Sequence, residues 1–302
     1  MRITALIESP FQLFQLAEYI NIYKIDSYKI ILRLNSNKIN NIQLFNTLKA
    51  VRLNRAKCFV SSNRFILLFN LLLCYRISGR VVIGDDNSGI YRIAKFFIPF
   101  RKITFLDDGT ASLVSSSKGE RFTIFEEVIG TKNKLSIITS LIEDNKRSDD
   151  PKRVIVLGGK LSEVGICTQE TYFKVIEMMI SDIRKKFSID VIISYIPHRG
   201  ECAYKRIFTE KFCKKYNVEI IQNELPVEFI AIERGIDILG VFGIFSTALF
   251  TMKLIYEYID IEYYVISEKD LLLRKKGIID LYQILMDTNM VPNFVPPISQ
   301  VN

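Results

Sequence analysis

The stretch Asp190-Val191-Ile192-Ile193-Ser194-Tyr195-Ile196-Pro197-His198-Arg199-Gly200-Glu201 governs how the rest of the chain is read. The apolar run from Val191 to Ile196 predicts a buried strand, and Pro197, which has no backbone N–H to donate, predicts its end. The only histidine of the sequence therefore falls at the C-terminal edge of a strand. In an open α/β sheet that edge is where ligands bind, and an imidazole flanked by Arg199 and Glu201 suits an anionic leaving group. A surface turn with an ordinary histidine is the other reading of these residues.

Working outward, strand and helix patterns alternate on both sides of this stretch. Upstream, strands are predicted at Ile3 to Ile7, Tyr28 to Leu34, Cys58 to Val60, Arg80 to Gly84 and Arg101 to Leu106. Helices are predicted between them at Pro10 to Ile22, Asn41 to Leu53, Arg64 to Tyr75 and Ile90 to Phe97. The stretch from Glu143 to Pro151 holds no apolar residue and reads as a linker. Beyond it the alternation restarts, with strands at Val154 to Leu157, Val191 to Ile196, Val218 to Ile221, Ile238 to Phe242 and Tyr263 to Ile266. The helices of this half are Gln169 to Lys186, Tyr204 to Tyr216, Pro226 to Arg234, Thr247 to Glu257 and Gly277 to Met286. Repeated βα units predict parallel, doubly wound sheets in two Rossmann-like domains, 1–143 and 152–302, facing a cleft. The tail with Pro292, Pro296 and Pro297 reads as extended.

Composition narrows the class. The chain has 302 residues, 49% of them apolar, which suffices for a large core and excludes a disordered protein. The start reads as a first strand rather than a signal peptide, and the apolar stretch Phe65 to Tyr75 is too short for a membrane span, so a cytoplasmic protein is expected. Five cysteines without a Cys-x-x-Cys pair, and one histidine, offer no zinc set and read as reduced thiols. The net charge is +8, with nine Lys/Arg against three Asp/Glu in the first sixty residues. Such a face suits an anionic membrane surface, an anionic substrate or nucleic acid, and equally a plain lysine-rich surface.

Several strand ends carry chemistry. Asp107-Asp108-Gly109 closes a strand of the first half; two adjacent carboxylates aimed at a cleft raise one pKa toward that of a general base, while Asp-Gly is also an ordinary turn. Asp85-Asp86 is a second acidic pair that reads as a solvated turn, with help in binding a sugar as the other reading. In the second half, Gly158-Gly159-Lys160-Leu161-Ser162 follows a strand, and its glycines either bring N–H groups to a phosphate or make a tight turn. It is neither a Walker loop nor a dinucleotide fingerprint. Ser246-Thr247 opens a helix, as an anion site or as a cap. Glu228 lies in a first helical turn, where a carboxylate is favourable and also able to accept ribose hydroxyls.

Together these residues resemble the bacterial sialyltransferases, most nearly the lipooligosaccharide and capsule enzymes of glycosyltransferase family 52. The resemblance rests on Glu8-Ser9-Pro10-Phe11-Gln12-Leu13, Asp107-Asp108-Gly109, His198, Glu228 and Ser246-Thr247, with Pro197-His198-Arg199 where the family usually has His-Pro. It implies a GT-B type glycosyltransferase that uses CMP-sialic acid without a metal or other cofactor. By position, Asp108 is the implied general base and Asp107 supports it. His198 contacts or protonates the phosphate of departing CMP, Glu228 holds ribose, and Ser246 and Thr247 hold phosphate. Arg199 touches phosphate or the donor carboxylate.

The implied reaction inverts the sugar carbon and places sialic acid on a galactose or N-acetylgalactosamine hydroxyl of a bacterial surface glycan, such as lipooligosaccharide, O-antigen or capsule. Other CMP-activated acid sugars such as Kdo, and a nucleotide-sugar-binding protein without catalysis, are the alternatives. A homodimer and peripheral contact with an anionic membrane, through the Lys-rich residues 24 to 57, belong to the same expectation. Nucleic acid does not, because no reading motif accompanies the charge.

Overall fold

In the computed structural model every strand pairing is parallel, and the strands form two sheets of nearly identical wiring. The structure describes residues 1–53, 56–114, 119–145, 151–188, 190–256, 258–288 and 290–298. The chain divides into two compact units, Met1–Leu141 with Glu224–Pro226, and Ile142–Asn223 with Val227–Asn302.

In the first unit the order is β1 (Arg2–Ile7), α1 (Pro10–Ile22), β2 (Ser27–Arg33), α2 (Lys38–Ala50), β3 (Lys57–Ser61), α3 (Arg64–Ser78), β4 (Val81–Ile83), α4 (Gly89–Ala94), β5 (Ile103–Phe105), β6 (Glu120–Thr123), β7 (Thr131–Lys132) and α5 (Ser136–Asn145). The sheet runs β3-β2-β1-β4-β5-β6-β7. Strand order reverses between β1 and β4, so the crevice beyond their C-terminal ends is where a doubly wound sheet takes its ligand. Helix α1 starts sharply because Ser9 Oγ accepts the Gln12 N–H at 3.3 Å and Pro10 occupies the first turn. Helix α3 is capped by Asn63 and ends at Gly79, whose φ of 70° is the left-handed conformation a side chain resists. Leu67 and Leu71 of α3 and Ile90 and Ala94 of α4 pack on Leu6, Ile31, Val81, Ile83 and Phe105 in one buried cluster.

The second unit continues with β8 (Lys152–Leu157), α6 (Gln169–Lys186), β9 (Ile192–Ile196), α7 (Ala203–Lys215), β10 (Glu219–Ile220), α8 (Ile230–Arg234), β11 (Asp237–Gly243), α9 (Thr247–Ile255), β12 (Asp260–Val265), α10 (Lys275–Met286) and β13 (Val291–Phe294). Its sheet runs β10-β9-β8-β11-β12-β13, with the reversal between β8 and β11.

Two expectations are corrected, one is sharpened and one pair of strands was not foreseen. The charged stretch from Glu143 does not begin as a linker, because α5 continues to Asn145; Lys146 to Asp150 lie outside the described residues. The tail is extended as expected and pairs as the sixth strand of its sheet, β13, in which Pro292 is tolerated because an edge strand leaves one side unpaired. The helix expected from Pro226 starts only at Ile230, after a 3-10 turn over Val227–Phe229. The short strands β6 and β7 fall where the sequence shows no alternation long enough to read.

Candidate active site

At the first unit's C-terminal edge, carboxylates gather from three strands. Glu8 follows β1, Asp85 and Asp86 follow β4, and Asp107 and Asp108 follow β5. The two residues of the Asp107-Asp108 pair do different things. Asp107 is 1% exposed, and its Oδ2 accepts the Ile124 N–H at 2.8 Å. Burial pushes its pKa up to about 6, against the bond from Ile124 and the charge of Arg121. The expectation that both acids project outward is thus corrected, and so is the cause of the shift, which is desolvation rather than the neighbouring acid.

Asp108 stays half-buried, with its N–H donated to Ser112 Oγ at 2.8 Å and its Oδ1 accepting Gln12 Nε2 at 2.9 Å. The oxygen of that amide, Gln12 Oε1, accepts the Glu8 N–H at 2.8 Å, so Gln12 clamps Asp108 to the end of β1. Gly84 makes room for the clamp: a Cβ there would overlap the Gln12 side chain. Gln15, one turn on, holds the Asp107 backbone from both sides, accepting its N–H at 3.1 Å and donating to its carbonyl at 3.0 Å. From sequence Gln12 stood only within the quoted Glu8–Leu13 motif, with no role given to it, and Gln15 was not noted; the available signal was two amides three apart on the buried side of a largely apolar helix.

Asp86 is not in a solvated turn, because its carboxylate forms a buried ion pair with Arg121, 2.6 Å away. Glu8 pairs with Arg33, and burial raises its pKa despite that cation.

In the second unit the reversal point brings together Gly158-Gly159 after β8, His198-Arg199 after β9, and Ser246-Thr247 between β11 and α9. The Gly158 N–H is donated to Ile196 O at 2.8 Å and the Gly159 N–H to Tyr172 Oη at 2.9 Å. Both donors expected to face a phosphate are therefore engaged within the protein. What the glycine at 158 permits is close approach, since a Cβ there would sit 2.6 Å from Tyr195 Oη.

His198 lies at the surface, its Nδ1 accepting the Gly200 N–H at 2.9 Å. The proton of the neutral ring is therefore on Nε2, where it can be donated to an anion. Desolvation by the surrounding protein, then the charges of Arg199, Lys160 and Lys205, lower its pKa to about 4. These cations favour a bound anion as they disfavour imidazolium. Glu201, expected beside the imidazole, instead turns inward and accepts Thr209 Oγ1 at 2.8 Å.

Ser246 Oγ accepts the Ala248 N–H at 3.2 Å and caps α9, with Thr247 as that helix's first residue. Glu228 is 5% exposed in the 3-10 turn, its Oε1 accepting Thr251 Oγ1 at 2.7 Å. Burial raises its pKa, opposed by Thr251 and by the charge of Arg199. The reading from sequence missed Lys205, which is 1% exposed beneath the glycine loop. Its Nζ donates to Gly159 O, lies 3.1 Å from Glu163 Oε2 and sits 3.7 Å above the Tyr172 ring. Its signal was the four-residue spacing of Glu201, just before α7, with Lys205 and Thr209 in the helix. Among the described residues no cluster of three or more His, Cys, Asp or Glu is arranged to hold a metal, and no helix is long and apolar enough to cross a membrane.

Two parallel-sheet α/β units are the fold shared by GT-B glycosyltransferases and sugar-nucleotide 2-epimerases. The UDP-GlcNAc 2-epimerase of Methanocaldococcus jannaschii superposes with a TM-score of 0.52 at 12% identity, over 96% of this chain and 94% of that one. The Staphylococcus aureus MnaA bound to UDP gives 0.57 at 11%, over 95% and 88%. The α/β-galactoside α-2,3-sialyltransferase of Photobacterium phosphoreum gives 0.53 at 13%, over 100% and 99%. Among curated proteins none matches the chain. The alpha-2,8-polysialyltransferase family model matches residues 86–265, more than half the sequence, and the chain belongs to that family. It is thus a bacterial-type sialyltransferase by family.

Proposed function

We propose that the protein transfers sialic acid from CMP-sialic acid, with inversion and without a metal, to a hydroxyl of a bacterial surface glycan carried at the inner face of the cytoplasmic membrane. The observation that carries this reading is the contrast between the two reversal points: carboxylates gather at that of the first unit, cations and hydrogen-bond donors at that of the second. In the reaction the acceptor oxygen bonds to the anomeric carbon as the bond from that carbon to the phosphate oxygen breaks. The acceptor proton passes to Asp108, held by Gln12, and Asp107 supports the loop from beneath. CMP leaves with its phosphate charge met by the Nε2–H of His198, by Arg199 and Lys160, and by Ser246 and Thr247 at the start of α9. Glu228 faces the ribose side, and Gly158 and Gly159 shape the loop beneath the donor. A single phosphate is within the reach of such groups, which supports metal independence.

An acid-lined acceptor edge favours a neutral sugar, which supports galactose or N-acetylgalactosamine. The family match supports a second reading, transfer to the 8-hydroxyl of a terminal sialic acid. The test is CMP release from CMP-sialic acid with EDTA present, offering lactosides, sialyllactosides or no acceptor. Acceptor-dependent release that falls about 10²- to 10⁴-fold in Asp108→Ala is the expected result. Turnover of another CMP-sugar instead would change the donor, and donor binding that survives Asp108→Ala with no turnover in the parent would mark a binding protein.

A further inference from the structure

Helices α3 and α4 lie side by side on one face of the first sheet, and their outer surfaces are apolar. On α3, Phe65 is 80% exposed and Phe69 67%, with Leu73 and Ile77 continuing the same stripe. Beside it, Phe96 is 79% exposed and Phe97 63%, followed by Phe100 in the turn before β5. Exposed apolar side chains scattered singly need no explanation, but this many on adjoining helices do.

The charge around the patch is of one sign. From Ser62 to Gly84 and from Asn87 to Leu106 the sequence holds no Asp or Glu. Arg64, Arg76, Arg92, Lys95, Arg101 and Lys102 are all exposed. Lys95 Nζ lies 5.5 Å from the Phe96 ring centroid and the Arg101 guanidinium 5.8 Å from that of Phe100, so cations and rings stand side by side as they do at a lipid interface.

We propose that the outer face of α3 and α4 is a membrane-docking surface that inserts its phenylalanines among the acyl chains of an anionic bilayer while the six cations meet lipid phosphates. A second copy of this chain is a poorer occupant, because a two-fold interface sets the patch against itself and brings like charges together. Arg64 lies beside Gly89, with its Nη1 3.7 Å from where a Cβ would stand, so the N-terminal ends of both helices adjoin the β4 edge that carries Asp85 and Asp86. A lipid-linked acceptor would thus meet the first unit's carboxylates from its membrane side. This purpose rests on the glycosyltransferase reading, but the docking itself does not.

The test is cosedimentation of the full chain with phosphatidylcholine vesicles, with and without 30% phosphatidylglycerol, at two salt concentrations. The parent is expected to bind only the anionic vesicles, more weakly at high salt. The triple variants Phe65→Ser/Phe69→Ser/Phe96→Ser and Arg92→Glu/Lys95→Glu/Arg101→Glu should each bind at least about tenfold more weakly, with unchanged circular dichroism and unchanged CMP release with a soluble acceptor. Binding undiminished in both variants, or a parent that ignores anionic vesicles, overturns the proposal. So does a dimeric parent in light scattering that the phenylalanine variant turns into a monomer. Vesicle binding without turnover would instead fault the activity and leave the surface standing.

Discussion

At the scale of single residues, the informative feature is how unlike two neighbouring acids become. Asp107 is buried with a pKa of about 6, and in an unfolded chain it returns to near 3.9. Between those values the unfolded state releases a proton that the folded state keeps, so this group's contribution to stability is full below about pH 4 and is lost as pH rises through 6. Asp107→Asn should remove a slope worth about 3 kcal/mol across that window, measured by urea denaturation from pH 4 to 7 against the parent. His198 gives a cleaner reading, because it is the only histidine. Its ring protons should titrate near pH 4 in the free protein, and the midpoint should rise when CMP brings a phosphate to Nε2. A midpoint that stays put on saturation with CMP would remove His198 from the phosphate site. The sequence made both positions legible as strand-end residues, but not their states. Which acid turns inward depends on Ile124, seventeen residues away in sequence and joined to it only by the fold.

Between elements, helix α1 and the end of β4 form a coupled device. Gln12 reaches Asp108 across the space that Gly84 leaves empty. Gln12→Leu is expected to lower kcat about 10- to 100-fold with little change in donor KM, the effect of losing one hydrogen bond to a charged group. Gly84→Ala should give the same kinetic signature, because its methyl displaces the flexible end of Gln12 rather than backbone. A normal kcat in Gly84→Ala would show that the clamp is not needed. The boundaries of α1 and α6 were readable to the residue from a clear apolar period, and the structure shows Ser9 and Thr168 capping their starts. Strands β6 and β7 were not, since two to four residues pair only because β5 already stands beside them.

For the whole molecule, the doubly wound class was legible from the alternation alone, and the strand order then placed nearly every singled-out residue at a C-terminal sheet edge. The roles of the glycine loop were not legible, because Tyr172 and Ile196 claim its N–H groups from elsewhere in the unit. If the second unit holds the donor, CMP should raise the thermal midpoint, with about 2.7 kcal/mol of stabilisation at a hundredfold excess over its dissociation constant. UMP should do less, as measured by differential scanning fluorimetry, and equal shifts from both nucleotides would argue against a cytidine-specific site.

One consequence follows from giving two sheets the same wiring and opposite charge. An anion diffusing near the chain is drawn to the strand edge where Lys160 and Arg199 flank His198 and turned away from the one that carries Asp85 and Asp108. On the proposed reading a nucleotide sugar would have one place to settle rather than two, although the backbone offers it equivalent crevices twice. On the proposed reading, misloading would be suppressed by sorting rather than by shape, and the first unit's edge would stay vacant until a neutral glycan arrived to use it.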